Sequence, residues 1–249
     1  MEFLRVEYTE VWVPTVAAPL VRFADRVRSI AATGIDLLGI EERQPPEPLI
    51  AALSSFDSIV SWYGENRPGF REVAMDVNPN WTFHHALPPD GCGLHATDFF
   101  AGQVGAREGL APRIPVGQLV RHGAAVIHPF SGSRKKNWPL DRFQELAARL
   151  GEPVRWLAGP EDVLPGADRF DDLGELAEWL AGARVYIGND SGITHLAAAA
   201  GTPTVALFGP TDPKVWGPRG ERVRCVREEA IAELAVERVV EAMREVIGT

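Results

Sequence analysis

Short apolar runs alternate along the chain with stretches whose apolar residues recur every three or four positions, a pattern that predicts an α/β protein with largely parallel sheets. The second half is the more regular. Ala124–His128 reads as a buried strand and residues 131–133 as a polar turn. Residues 139–150 read as a helix: Pro139 suits its first position, Asp141 its positive end, and Leu140, Phe143, Leu146, Ala147 and Leu150 share one face. Val154–Ala158 is the next strand, ending at Gly159-Pro160-Glu161-Asp162. Asp172 with Glu175 resembles a capping box ahead of Leu173, Leu176, Ala177 and Leu180 at helical spacing. Strand Arg184–Gly188, helix Ile193–Ala200, strand Thr204–Phe208 and a helix near Ile231–Ile247 close the pattern. In the first half, Glu7–Val13 alternates like a strand and Ala17–Val27 is read as a helix. Asp57–Trp62 reads as a strand leading to Gly64, and the Pro/Gly-rich stretches 43–48 and 87–93 as loops. The segment Gly109–Gln118, with Pro112 and Pro115, is the best linker and predicts two domains, 1–118 and 119–249.

Composition narrows the class. With 249 residues, 45% hydrophobic and 24% charged, the chain is not disordered, collagenous or a coiled coil. Two cysteines, Cys92 and Cys225, are too few for a disulfide framework, and no window of 18 uninterrupted apolar residues predicts a membrane-spanning helix. The first residues lack the basic-then-apolar pattern of a secretory signal, so the expected location is the cytoplasm. A net charge of −9 argues against a nucleic-acid partner. Among 25 basic residues only three are lysines, at positions 135, 136 and 214, and two of them are adjacent.

The chemistry concentrates after the strands of the second half. Around Asn189-Asp190-Ser191-Gly192-Ile-Thr-His195, a strand runs into a turn that opens a helix, leaving backbone N–H groups at a positive helix end. That arrangement suits a phosphate. Gly192 allows close approach to the backbone, Ser191 caps the helix or bonds the phosphate, and His195 lies near the same end. The competing reading is structural, with Asp190 and Ser191 as mere caps and His195 as a core residue. A second polar turn, Gly209-Pro-Thr-Asp-Pro213, follows the next strand, where ligands of open α/β sheets bind. In His128-Pro-Phe-Ser-Gly-Ser-Arg-Lys-Lys136, Ser131, Gly132, Ser133 and Lys136 offer hydroxyls, flexibility and an ammonium for a diphosphate leaving group. Its alternative is a solvated basic turn. Gly159, Pro160 and Glu161 place a carboxylate where a ribose could be held, or form an exposed loop.

Other patterns are set aside. Gly91-Cys-Gly93-Leu-His-Ala96 fits a dinucleotide pattern but follows Pro88-Pro89-Asp90 and not a strand. His84, His85, Cys92 and His95 match no common zinc spacing, and no Gly-x-Ser-x-Gly elbow occurs.

Together Lys136-Asn-Trp-Pro139, Gly159-Pro-Glu161, Asn189-Asp-Ser-Gly-Ile-Thr-His-Leu-Ala197 and Gly209-Pro-Thr-Asp212 resemble the lipopolysaccharide heptosyltransferases, glycosyltransferase family 9, strongly over about residues 123–218. The resemblance implies a GT-B type fold, two Rossmann-like domains with parallel sheets facing across a cleft. It implies metal-independent, inverting transfer, typically from ADP-heptose to a lipopolysaccharide-type or other glycan acceptor at the cytoplasmic membrane face, without a cofactor. Ser131 and Lys136 would then contact the diphosphate or donor, Glu161 the nucleoside, and Asp190, Ser191, Gly192 and His195 the diphosphate and sugar. The family's opening strand and Gly-Asp turn, whose Asp is the general base, have no counterpart here, so the N-terminal domain is expected to be incomplete. The catalytic base is left unassigned: Glu10, Asp25 and Glu65 are candidate replacements, and their spacing favours none of them. The alternatives are a non-catalytic nucleotide-sugar-binding protein and another GT-B enzyme, such as a sugar-nucleotide epimerase or hydrolase.

Overall fold

The computed structural model describes residues 7–40, 42–117, 120–151 and 153–248. Its contacts divide the chain into two units, Met1–Cys92 with Phe99–Ala106, and Gly93–Asp98 with Arg107–Thr249. The boundary expected at 118/119 lies outside the described residues. Residues 93–98 go with the later unit because His95 Nε2 lies 2.8 Å from the Gly217 carbonyl and Asp98 pairs with Arg219.

The earlier unit contains two separate two-stranded parallel sheets. Strand β1 (Glu10–Val13) pairs with β2 (Arg26–Ser29). After α1 (Glu47–Ser55), strand β3 (Ile59–Ser61) pairs with β4 (Trp81–Phe83) across α2 (Pro68–Val77). Helix α3 (Ala96–Gln103) follows. The helix expected over Ala17–Val27 is instead a 3-10 turn, Thr15–Leu20, and the start of β2. Pro19 interrupts the run, and Asp25 and Arg26 donate their backbone N–H groups to the Thr9 carbonyl, which starts the ladder with β1. One apolar cluster lies beneath these elements: Ile35, Leu38, Leu49, Leu53, Phe70, Ala74 and Trp81.

The later unit is a five-stranded, all-parallel sheet. Its strands are β5 (Ala125–His128), β6 (Val154–Trp156), β7 (Val185–Asn189), β8 (Thr204–Phe208) and β9 (Val223–Arg227), in the spatial order β6-β5-β7-β8-β9. Strands β5, β7 and β8 are buried at every position, as a parallel sheet covered on both faces requires. Ala125, Ile127, Val185, Ile187, Val205 and Leu207 pack toward α4 (Leu140–Leu150) and α8 (Val236–Ile247), which supply Phe143, Leu146, Val239, Met243 and Val246. Helices α5 (Leu173–Ala181) and α6 (Gly192–Ala199) pack against each other, and α7 (Pro213–Trp216) is a single turn. The helix near Ile231–Ile247 proves to be a 3-10 turn, Ile231–Glu233, followed by α8. Helix α4 stops where Gly151 takes φ 63°, a left-handed conformation that suits glycine. The Asp172 carboxylate accepts from the Glu175 N–H at 2.9 Å and starts α5. Among the described residues, no helix is long and apolar enough to cross a membrane.

Candidate functional site: three turns at one sheet edge

The sheet order creates the site. The chain leaves β5 for β6 on one side and returns past it to β7 on the other, so the turns after β5 and β7 diverge at a topological switch point. Because all strands are parallel, the turns after β5, β6, β7 and β8 line the same edge.

Lys136 and Asp190 join two of these turns. Lys136 Nζ donates to Asp190 Oδ2 at 3.1 Å, and Thr211 Oγ1, in the turn after β8, donates to the same oxygen at 2.8 Å. The side chain of Asp190 is 9% exposed and that of Lys136 25%. Three turns therefore converge on one carboxylate oxygen at the start of α6. Asn189 fixes their spacing from beneath: its amide nitrogen donates to the Pro129 carbonyl at 2.8 Å, and its amide oxygen accepts from the Trp138 N–H at 2.9 Å. Trp138, 1% exposed, donates its indole N–H to the Leu234 carbonyl at 3.0 Å and anchors the lysine turn in the core.

The remaining expected residues fall on the same edge. The Ser131 hydroxyl donates to Asn137 Oδ1 at 2.6 Å and so shapes the loop that carries Gly132, Ser133 and Lys136. Ser191 caps α6, accepting the Thr194 N–H. Gly132 and Gly192 are exposed, neither has a positive φ, and a methyl group added at either would meet no protein atom within 4 Å. Neither backbone strain nor internal packing asks for glycine there, and the space a side chain would fill is open.

His195 is solvent-accessible at the first turn of α6. Surrounding protein lowers its pKa below the usual imidazole value, through desolvation first, and the Asp190 carboxylate opposes that shift. Beyond β6, Gly159 donates its N–H to Asp162 Oδ2 at 2.8 Å, Arg169 bonds the Gly159 and Asp162 carbonyls, and Glu161 is exposed beside Pro160.

A buried chain stands behind the site. The Tyr186 hydroxyl lies 3.2 Å from His128 Nδ1 and 3.1 Å from Thr194 Oγ1. Burial holds the His128 pKa down to about 4, so this imidazole is neutral at pH 7. The motifs alone assign no role to Thr211, Asn137 or Asn189. All three stand inside the quoted motifs, as short polar residues next to turns, and that was the available signal.

The three base candidates all lie in the earlier unit. Glu10, with a side chain only 4% exposed, accepts from Trp12 Nε1 at 2.7 Å and lies 2.6 Å from Arg28 Nε. Asp25 Oδ2 accepts the Thr9 N–H at 2.9 Å. Glu65 Oε1 is 3.3 Å from His85 Nδ1. Of the zinc-type side chains, the His84 ring lies 5.3 Å from that of Trp62, tilted by 38°, and His95 faces the Gly217 carbonyl. Among the described residues, no three His, Cys, Asp or Glu side chains converge as a metal site.

A family profile for glycosyltransferase family 9 (heptosyltransferase) matches residues 171–245, from the cap of α5 through most of α8. Lipopolysaccharide heptosyltransferase 1 of Salmonella typhimurium is 33% identical over 116 residues, 40% of this chain and 37% of that protein. Lipopolysaccharide heptosyltransferase 3 of Escherichia coli is 43% identical over 126 residues, 42% of this chain and 36% of that protein. The chain thus spans little more than a third of the length of the curated relatives it matches. The structure of Escherichia coli ADP-heptose lipopolysaccharide heptosyltransferase II superposes with a TM-score of 0.70 at 15% identity, over 96% of this chain and 89% of that one. A glycosyltransferase family 9 structure from Veillonella parvula gives 0.70 at 16% identity, over 96% and 88%. These likenesses give the fold as α/β of the GT-B type with parallel sheets. Over residues 171–245 the chain is thus similar to glycosyltransferase family 9, and its fold is that of the heptosyltransferase structures.

Proposed function

We propose that the protein is an inverting, metal-independent glycosyltransferase that moves a heptose from a nucleotide diphosphate donor, ADP-heptose, to a lipopolysaccharide-type glycan at the cytoplasmic face of the membrane. The observation that carries this reading is the meeting of Lys136, Thr211 and the start of α6 on Asp190 at the switch point, beneath the open backbone of Gly132 and Gly192.

In this reading the diphosphate lies over Gly132 and Gly192 and accepts from their backbone N–H groups and from the serine hydroxyls. As the glycosidic bond to the donor breaks, negative charge grows on the leaving diphosphate. The Lys136 ammonium and the positive end of α6 are placed to stabilise it, the part a divalent ion plays in other transferases. Asp190 accepts from a donor-sugar hydroxyl, and His195 lies at the same helix start. Glu161, exposed beyond β6, accepts the two ribose hydroxyls.

The test is a thermal-shift screen of ADP-, GDP-, UDP- and CMP-linked sugars, followed by transfer to a deacylated core oligosaccharide in the presence of a chelator. An ADP-sugar at about a hundred times its Kd should add about 2.7 kcal/mol of stability. Failure of every nucleotide sugar to raise Tm overturns the proposal, and transfer that stops on chelation overturns its metal independence.

A further inference from the structure

A hydrogen-bonded chain of side chains runs beneath the three turns, all of it within the later unit. It passes from His128 at the end of β5 through Tyr186 on β7 to Thr194 and Ser191 at the start of α6. Tyr186 is fully buried at its centre. Gly188 makes room for it. A side-chain carbon at Gly188 would lie 2.5 Å from the Tyr186 hydroxyl oxygen and 2.8 Å from the ring carbon that bears it, and Gly188 has no positive φ that would call for glycine. Glycine inside a buried strand weakens the strand, so its place here is set by the close approach of the tyrosine.

The directions of these hydrogen bonds follow from the acceptor at one end. The Asn189 carbonyl can only accept, so Thr194 Oγ1 donates its one proton there. Thr194 Oγ1 then accepts at its other contacts, from the Tyr186 hydroxyl at 3.1 Å and from Ser191 Oγ at 3.1 Å. With its proton given to Thr194, the Tyr186 oxygen accepts from His128 Nδ1 at 3.2 Å. The neutral imidazole therefore carries its proton on Nδ1 and not on Nε2. The peptide between Asn189 and Asp190 is held at both ends, its carbonyl by Thr194 and its N–H by the Leu207 carbonyl at 2.9 Å. That peptide sets the direction in which the Asp190 side chain and the backbone of Ser191 and Gly192 leave the sheet.

We propose that Tyr186 is a positioning residue for the donor site, a buried strut that acts through Thr194 on the first turn of α6, with His128 supporting it from Nδ1. The proposal rests on the transferase reading above. A hydroxyl that accepts a hydrogen bond donates a stronger one, so the Tyr186 proton tightens the hold of Thr194 on the Asn189 carbonyl. Without it the turn that carries Asp190, Ser191 and Gly192 loses its placement, and displacements of about 0.5 Å are felt in a binding site.

The experiment measures ADP-heptose binding to the full chain by calorimetry, well below the Tm of each variant. Tyr186→Phe keeps the ring and should raise Kd by about tenfold. Thr194→Val should do the same, and Thr194→Ser, which restores the hydroxyl, should recover most of the loss. Thr202→Val is the control. It removes a buried hydroxyl that donates to the Leu180 carbonyl at 2.8 Å, before β8 at the opposite edge of the sheet. It should lower Tm as Tyr186→Phe does and leave Kd within about twofold of wild type. Binding by Tyr186→Phe within about twofold of wild type overturns the proposal, as does equal weakening in Thr202→Val. Nitrogen NMR of the imidazoles gives a second readout, with His128→Gln identifying the signal. His128 should carry its proton on Nδ1, and ADP-heptose should shift its resonances in the wild type but not in Tyr186→Phe; a proton on Nε2 overturns the strut. If no nucleotide sugar binds the wild type, the transferase reading fails and takes the strut's role with it, whereas undiminished binding by Tyr186→Phe removes the strut alone.

Discussion

Lys136 Nζ lies 3.1 Å from Asp190 Oδ2, so a single ion pair ties the turn after β5 to the turn after β7. A charge-assisted hydrogen bond to a ligand contributes about 1.5–3 kcal/mol, or roughly 10- to 100-fold in affinity. Lys136→Ala should therefore weaken ADP-sugar binding by about that factor in calorimetry. Lys135→Ala, exposed next to it, should change it by less than about threefold. Equal losses in the two variants would mean that the basic turn attracts the ligand only through its net charge.

Gly192→Ala and Gly132→Ala separate ligand approach from folding. With no positive φ and no protein atom near the added carbon, both should fold with stability within about 1 kcal/mol of wild type. Nucleotide-sugar affinity should nonetheless fall at least about tenfold, as the methyl group occupies the space over the backbone N–H groups. Unchanged affinity in both variants would place the diphosphate elsewhere.

Asn189 is a structural tie whose loss is felt at a distance. Asn189→Ala leaves the buried Trp138 N–H and the Pro129 carbonyl without their partner, at about 1–3 kcal/mol each. Urea unfolding should show a lower midpoint, and binding should weaken as the lysine turn loosens. Trp138→Ala, in the same place, should cost about 3–5 kcal/mol.

Acid should destabilise the protein before any carboxylate titrates. Burial lowers the His128 pKa from 6.5 to about 4, so below pH 6.5 the unfolded chain takes up a proton that the folded chain refuses. This contribution is complete above pH 6.5 and is lost as the pH falls toward about 4, at up to about 1.4 kcal/mol per pH unit. His95, His122 and His195 are lowered as well and act in the same direction. His128→Gln should flatten the slope of unfolding free energy between pH 6.5 and 5; an unaltered slope would assign the acid sensitivity to the other histidines.

The later unit, apart from the edge strand β9, was legible in sequence because its signals were redundant. Runs such as Thr204–Phe208 are apolar on both faces, Asp172 and Glu175 announce a helix start, and the polar turns follow strands directly. The earlier unit lacked that redundancy. Arg26–Ser29 has the alternation of a strand only once it is freed from the helical spacing before it, and Trp81–Phe83 is too short to show a period. The site followed the same division. Lys136 and Asp190 stood out as rare or motif-bound residues. Thr211 and the pairing of Glu65 with His85 depend on which strands become neighbours, and local spacing does not encode that.

The order β6-β5-β7 also has a consequence in time. The lysine turn and the aspartate turn meet only after the chain has completed a whole strand-helix excursion through β6 and α5 and closed a long loop, among the slower steps of folding. A nucleotide sugar bound as proposed would hold both turns at once and so stabilise the folded unit by mass action.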